Sequence, residues 1–212
     1  MLGLFSARQP NLNLSELSEG LGVHKSTAYR LAVTLAEGGL LRWNQQKGTY
    51  SLGLKILNLG SLLINSLELR SQARPYLEKL ASEINETVHL AVLDRDEVVY
   101  IDKLEVSRGI RIFSDIGKRA PCHCTALGKA LLADLPTETV RLILKKKGMK
   151  CYTPNTITSI IAFLDHLEEV RLNDYALDME EHEPLIYCIA APIRDFSRKT
   201  IATISVTMIM KS

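Results

Sequence analysis

The run from residue 13 to residue 52 constrains this chain more than any other. Apolar Leu14, Leu17 and Leu21 recur at helical spacing and stop at Gly22; from His24 onward Ala28, Leu31, Ala32 and Leu35 recur in the same way until Gly38 and Gly39. That spacing predicts two short helices joined by a glycine turn. Residues 40–44 and 49–52 read as two strands around the polar turn Gln45-Gln46-Lys47-Gly48. Helix, turn, helix and hairpin in this order make a winged helix-turn-helix, and the second helix is expected to face its small core with Leu31 and Leu35.

In such a motif the start of the second helix meets base edges and phosphates. The candidates are His24, Lys25, Ser26, Thr27, Tyr29 and Arg30, with Lys47 at the hairpin tip. All can hydrogen-bond, and Lys25 and Arg30 suit guanine edges or phosphates. The competing reading makes Ser26 and Thr27 ordinary helix caps and the charges a solvated face. It leaves the glycine turn and the wing unexplained. Net charge is only +2 over 212 residues, so bulk basicity does not mark a nucleic-acid partner. The first 55 residues, however, carry six Lys and Arg against three Glu, 6 − 3 = +3, and hold the whole excess.

A length of 212 residues favours two domains. The predicted division is a DNA-binding domain at 1–53, a linker or dimerisation helix at 54–70, and an effector-binding domain at 71–212. The linker is rich in Leu and Ile with few charges, so it needs a partner, either its own core or a second subunit. After Pro75 an amphipathic helix is expected over 76–84. Strands follow at 87–93, 98–104 and 110–114, helices at 126–135, 138–147 and 159–173, and strands again at 186–193 and 200–210. This order argues an α+β domain with a mainly antiparallel sheet. In the last strand Ala202, Ile204, Val206 and Met208 share one face, expected to pack, and Thr203, Ser205 and Thr207 share the other, polar one. Ile186, Cys188 and Ala190 share a face of the preceding strand and are expected to form an apolar wall.

The run Gly22-Val23-His24-Lys25-Ser26-Thr27-Ala28-Tyr29-Arg30-Leu31, followed by Lys47-Gly48-Thr49-Tyr50-Ser51-Leu52-Gly53, resembles the DNA-binding domain of the IclR family of bacterial regulators. Arg119-Ala120-Pro121-Cys122-His123-Cys124-Thr125-Ala126-Leu127-Gly128-Lys129, Tyr175-Ala176-Leu177-Asp178-Met179-Glu180-Glu181-His182-Glu183 and Cys188-Ile189-Ala190-Ala191-Pro192-Ile193 continue the likeness. The resemblance implies a GAF-like α/β sensor domain that binds a small organic or aromatic acid. It places the effector against Ala126, Leu127, Asp178, Ile186, Cys188, Ser205 and Thr207. It also implies double-stranded operator DNA as partner, a homodimer or dimer of dimers, and no cofactor, metal or catalytic residue. Two departures stand out. Pro184-Leu185-Ile186-Tyr187 replaces the family's usual glycine, which predicts a narrower pocket floor, and both ends look short beside the family's first and closing helices.

The alternative class rests on Cys122-His123-Cys124, a possible thiol nucleophile or a metal or redox sensor. Neighbours on extended chain point to opposite sides, so Cys122 and His123 do not naturally face each other. A third class is a sensor module with impaired DNA binding. No apolar run reaches the roughly 18 residues of a membrane span. The chain is expected in the cytoplasm, with its four cysteines reduced.

Overall fold

The computed structural model describes residues 1–105 and 114–209. The chain divides into two compact units, Met1–Glu68 and Leu69–Ser212.

In the first unit, α1 (Leu14–Leu21) begins in a capping box. The Glu16 N–H donates to the Asn13 side chain at 3.0 Å, and the Asn13 N–H donates to the Glu16 carboxylate at 2.7 Å. Gly22 ends it in the left-handed region at φ +64, a conformation glycine reaches without Cβ strain. The chain then re-enters helix as α2 (Lys25–Glu37). Three strands, β1 (Asn11–Leu12), β2 (Leu41–Asn44) and β3 (Thr49–Leu52), form an antiparallel sheet in the order β1-β3-β2. Leu12, Leu17, Ala32, Leu41 and Tyr50 make the core. The inward residues of α2 are Ala28 and Ala32, both fully buried, with Leu35 and Ala36 packed at the margin. Leu31, expected inside, is 46% exposed: a core this small accepts one edge of the helix, and the alanines take it.

The apolar helix predicted at the linker is α3 (Lys55–Ser66), and none of its residues is buried. It stops at Leu67. The next helix, α4 (Glu68–Ile84), carries Pro75 in its interior rather than starting after it. Proline lacks the N–H for a helical bond but leaves the neighbouring turns hydrogen-bonded, and tertiary contacts hold α4 across it. Before the proline Arg70 and Arg74 reach the fully buried Asp102 carboxylate at 3.3 and 2.8 Å, and after it Leu77 is buried.

The second unit is built on a six-stranded sheet of order β6-β5-β4-β9-β8-β7, every neighbouring pair antiparallel. The strands are β4 (Thr87–Asp94), β5 (Glu97–Leu104), β6 (Arg119–Ala120), β7 (Ala176–Met179), β8 (Ile186–Arg194) and β9 (Thr200–Ile209). Positive φ at Arg95 (49°) and Asp96 (68°) closes the β4–β5 hairpin with two residues, as the favoured twist of such turns requires. Helices α5 (Ala126–Ala133), α6 (Thr137–Lys147) and α7 (Ile160–Asn173) follow β6, and α5 lies against β7, β8 and β9. Of the strand expected at 110–114, only Ser114 lies within the described residues, and of 200–210 all but Met210. Among the described residues no helix is long and apolar enough to cross a membrane.

The face of β9 that looks toward α5 is the polar one. Thr203, Ser205 and Thr207 are buried, whereas Ile204 and Val206 are half-buried and Met208 is exposed. This reverses the expected packing, with Ala202, fully buried, as the exception on the apolar face. Two of these hydroxyls find partners inside: Thr203 donates to the Leu127 carbonyl at 3.5 Å, and Thr207 meets Cys188 and His89 as described below.

Candidate DNA interface and ligand pocket

The start of α2 is held by His24, not by Ser26 or Thr27. The Ser26 N–H donates to His24 Nδ1 at 3.4 Å, and Ser26 Oγ lies 2.9 Å from the same nitrogen. His24, Lys25, Ser26, Thr27, Tyr29 and Arg30 are all exposed, while Ala28 between them is buried. One helix end therefore carries six polar side chains outward on a rigid base. Lys47 is exposed at the hairpin tip, where its N–H donates to the Asn44 side chain at 3.1 Å. Trp43, which sequence reasoning passed over, stands half exposed on the same hairpin and packs on Tyr50 with ring centroids 4.6 Å apart.

In the second unit a cavity opens between the start of α5 and the polar face of the sheet. It holds about 530 Å³ of empty space including its mouth, of which only about 50 Å³ admits the centre of a water molecule. Ala126, Leu127, Asp178, Ile186, Cys188, Ser205 and Thr207 all line it, so four separate elements bring the resemblance-derived set together. The lining also includes His89, Tyr100, Ser114, Lys118, Ala120, Thr125, His182 and Glu183, which the sequence reading did not single out. Strand alternation groups His89 with Thr87 and Ala91, and Tyr100 with Val98 and Asp102, but does not tell which face looks into the cavity; the pairing of His89 with Ser205 decides that. Ser114, Lys118, His182 and Glu183 lie outside the regular elements and carried no such signal.

Thr125 caps α5 by accepting from the Gly128 N–H at 3.2 Å. Helix geometry gives the N–H groups of Ala126 and Leu127 no intrahelical partner, so they stand at the pocket with the positive end of the helix. Gly128 is required there for a different reason: a Cβ would fall 2.3 Å from the Cys122 Cα. The first turn of α5 can sit against the Cys122 backbone only without a side chain.

Burial sets the charge state of the walls. Desolvation lowers His89 to about 3, so its ring is neutral at pH 7, with Nε2 2.7 Å from Ser114 Oγ and Nδ1 3.4 Å from Thr207 Oγ1. Thr207 Oγ1 also lies 3.2 Å from Cys188 Sγ. Asp178 is raised to about 6, again chiefly by burial, although it accepts the Glu181 N–H at 2.8 Å. Beneath it the fully buried Lys129 ammonium donates to the Leu177 carbonyl at 2.8 Å and pairs with Glu181. At the pocket rim, Leu185 holds a left-handed backbone at φ +64, the conformation glycine favours, and its N–H donates to the Glu180 carboxylate at 2.7 Å. The next residue, Ile186, lines the cavity.

The thiols of Cys122, Cys124 and Cys188, all raised by burial, give no support to nucleophilic chemistry. Burial pushes Cys122 and Cys188 up to about 12, away from the thiolate such chemistry needs. His123 Nε2 lies 3.0 Å from the Lys150 carbonyl. Among the described residues no group of three His, Cys, Asp or Glu could hold a metal ion.

A winged helix-turn-helix followed by an α+β domain with a pocket at the start of α5 is the architecture of two-domain transcription regulators. Residues 1–45 match the IclR helix-turn-helix domain and residues 62–211 match the bacterial transcriptional regulator IclR C-terminal domain, so the chain belongs to the IclR family. It is similar to the HTH-type transcriptional regulator XynR of Escherichia coli, 34% identical over 98% of this chain and 82% of that one. It is also similar to the HTH-type transcriptional regulator KdgR of the same organism, 36% identical over 92% of this chain and 74% of that one. Among solved structures, an IclR homologue from Microbacterium hydrocarbonoxydans complexed with 4-hydroxybenzoate superposes with a TM-score of 0.84 at 25% identity, covering 100% of this chain and 87% of that one. These relatives are regulators, and the chain is one by descent rather than an enzyme.

Proposed function

We propose that this regulator binds a roughly palindromic operator as a homodimer or dimer of dimers, and that a small organic acid in the second unit changes that binding. His24, Lys25, Ser26, Thr27, Tyr29, Arg30 and Lys47 contact DNA. The acid's carboxylate sits on the free N–H groups of Ala126 and Leu127, and Asp178, Ser205 and Thr207 meet its polar substituents while Ile186 and Cys188 enclose its apolar part. The observation that carries the reading is the convergence of these seven side chains on one cavity at a helix start. The complex of a structural relative with 4-hydroxybenzoate supports an acid as ligand. The narrow interior favours a compact one.

The first test is a salt series of binding to DNA from immediately upstream of the gene, with the intact chain and the Lys25→Ala, Arg30→Ala double variant. The intact chain should bind steeply with salt. The double variant should lose affinity and flatten the slope of log K against log salt by roughly 1.8, because each phosphate contact removed releases fewer counterions. Equal binding by both would remove α2 from the interface.

A further inference from the structure

Leu31 stands on the wrong side of α2 for a core residue. It is 46% exposed on the face that also carries Thr27, Arg30 and Thr34, and these four line a shallow concavity. Their spacing is i, i+3, i+4 and i+7, a single stripe along the helix. A helix lying in a major groove addresses successive base pairs with such a stripe. Thr34 donates its hydroxyl back to the Arg30 carbonyl at 3.0 Å, so that hydroxyl is satisfied by the helix itself, and Thr34 lines the concavity with Leu31. The result is an apolar notch with a guanidinium next to it.

Leaving a leucine in water forfeits its transfer energy, and nothing in this unit's core covers it. In the major groove only thymine presents a methyl group, and side-chain methyls are what recognise it. Lys25 and Arg30 on the same helix supply charge complementary to the flanking phosphates. We propose that Leu31, with the methyls of Thr27 and Thr34, is a specificity-determining contact to the 5-methyl of one thymine in each operator half-site. This rests on the reading of α2 as the helix that enters DNA.

The test begins with DNA selected from a random pool by the full chain. The enriched site is resynthesised with each thymine in turn replaced by deoxyuridine, which lacks only the methyl, and binding is titrated for the wild type and for Leu31→Ala. One symmetry-related thymine should weaken wild-type binding about four-fold per half-site when replaced, the worth of one buried methyl-sized group. Leu31→Ala should bind the thymine site weaker by a similar factor and be indifferent to the replacement. Its thermal unfolding should match the wild type, since the side chain is exposed, and that separates a lost contact from a lost fold. The proposal is overturned if no thymine is sensitive, if the variant keeps the wild-type sensitivity, or if the variant binds DNA normally and instead loses self-association. Failure to enrich any sequence would sink the DNA-entering role of α2 together with this contact. Enrichment without thymine sensitivity would sink only the contact.

Discussion

Asp178 holds its proton more tightly in the folded chain than in the unfolded one, at about 6 against the usual 3.8, because burial strips water from its anion. The folded state therefore binds more protons between these values, and the contribution of Asp178 to stability falls as pH rises through that window. Each factor of ten in proton affinity is worth about 1.4 kcal/mol, so the buried anion costs about 3 kcal/mol at pH 7. Asp178→Asn should be more stable than the wild type by about 1–3 kcal/mol at pH 7 and nearly equal to it at pH 4. Urea midpoints at the two values check this, and an unchanged difference would mean that water reaches the carboxyl. The place of Asp178 on an inward-facing strand position was legible from its resemblance alone. Its environment was not, because an acidic run such as Asp178, Glu180, Glu181 and Glu183 reads equally as a solvated loop. Leu31 carries the opposite lesson. Helical spacing put it on the apolar stripe of α2, and the width of that stripe exceeded what the small core could cover.

Among the elements, α5 is the one that makes the pocket, and a buried ion pair ties it to the segment after β7. Lys129 is fully buried and Glu181 nearly so. Removing one partner from such a pair leaves an uncompensated charge, whereas replacing both by apolar groups is often neutral or better. Lys129→Met should destabilise by about 3–5 kcal/mol, and the added Glu181→Leu should recover most of that loss, as measured by chemical denaturation of both variants. Additive losses would mean that the pair does not act as a unit. The position of α5 was readable from Thr125 and the apolar run behind it. The true extent of α4 was not, since a proline is a common first residue of a helix and an uncommon interior one. What overrules that rule at Pro75 is tertiary: before the proline Arg70 and Arg74 both reach Asp102, and after it Leu77 is buried.

At the level of the whole molecule, α3 is the unfinished surface. Leu54, Leu57, Leu62 and Leu63 are between 60% and 82% exposed, far more apolar surface than a lone helix leaves in water without a partner. In the homodimer or dimer of dimers proposed above, this helix is where subunits pair. Leu57→Lys combined with Leu63→Lys should then lower the sedimenting mass to that of a monomer and weaken operator binding with it, because a monomer holds a single half-site. A double variant that sediments as the wild type would place the interface elsewhere. By itself, the sequence determined the order of the longer elements but not the short strands β1, β6 and β7 or the extent of α4, together with the winged helix-turn-helix, the family, and which residues share a face, since periodicity and turn chemistry are local properties of a chain. Only the tertiary structure decided which face of β9 looks inward and which leucine of α2 stays outside. It also gathered His89, Tyr100, Lys118 and His182 around the same cavity as Asp178. Periodicity relates residues to their own element, whereas burial depends on what other elements pack against it.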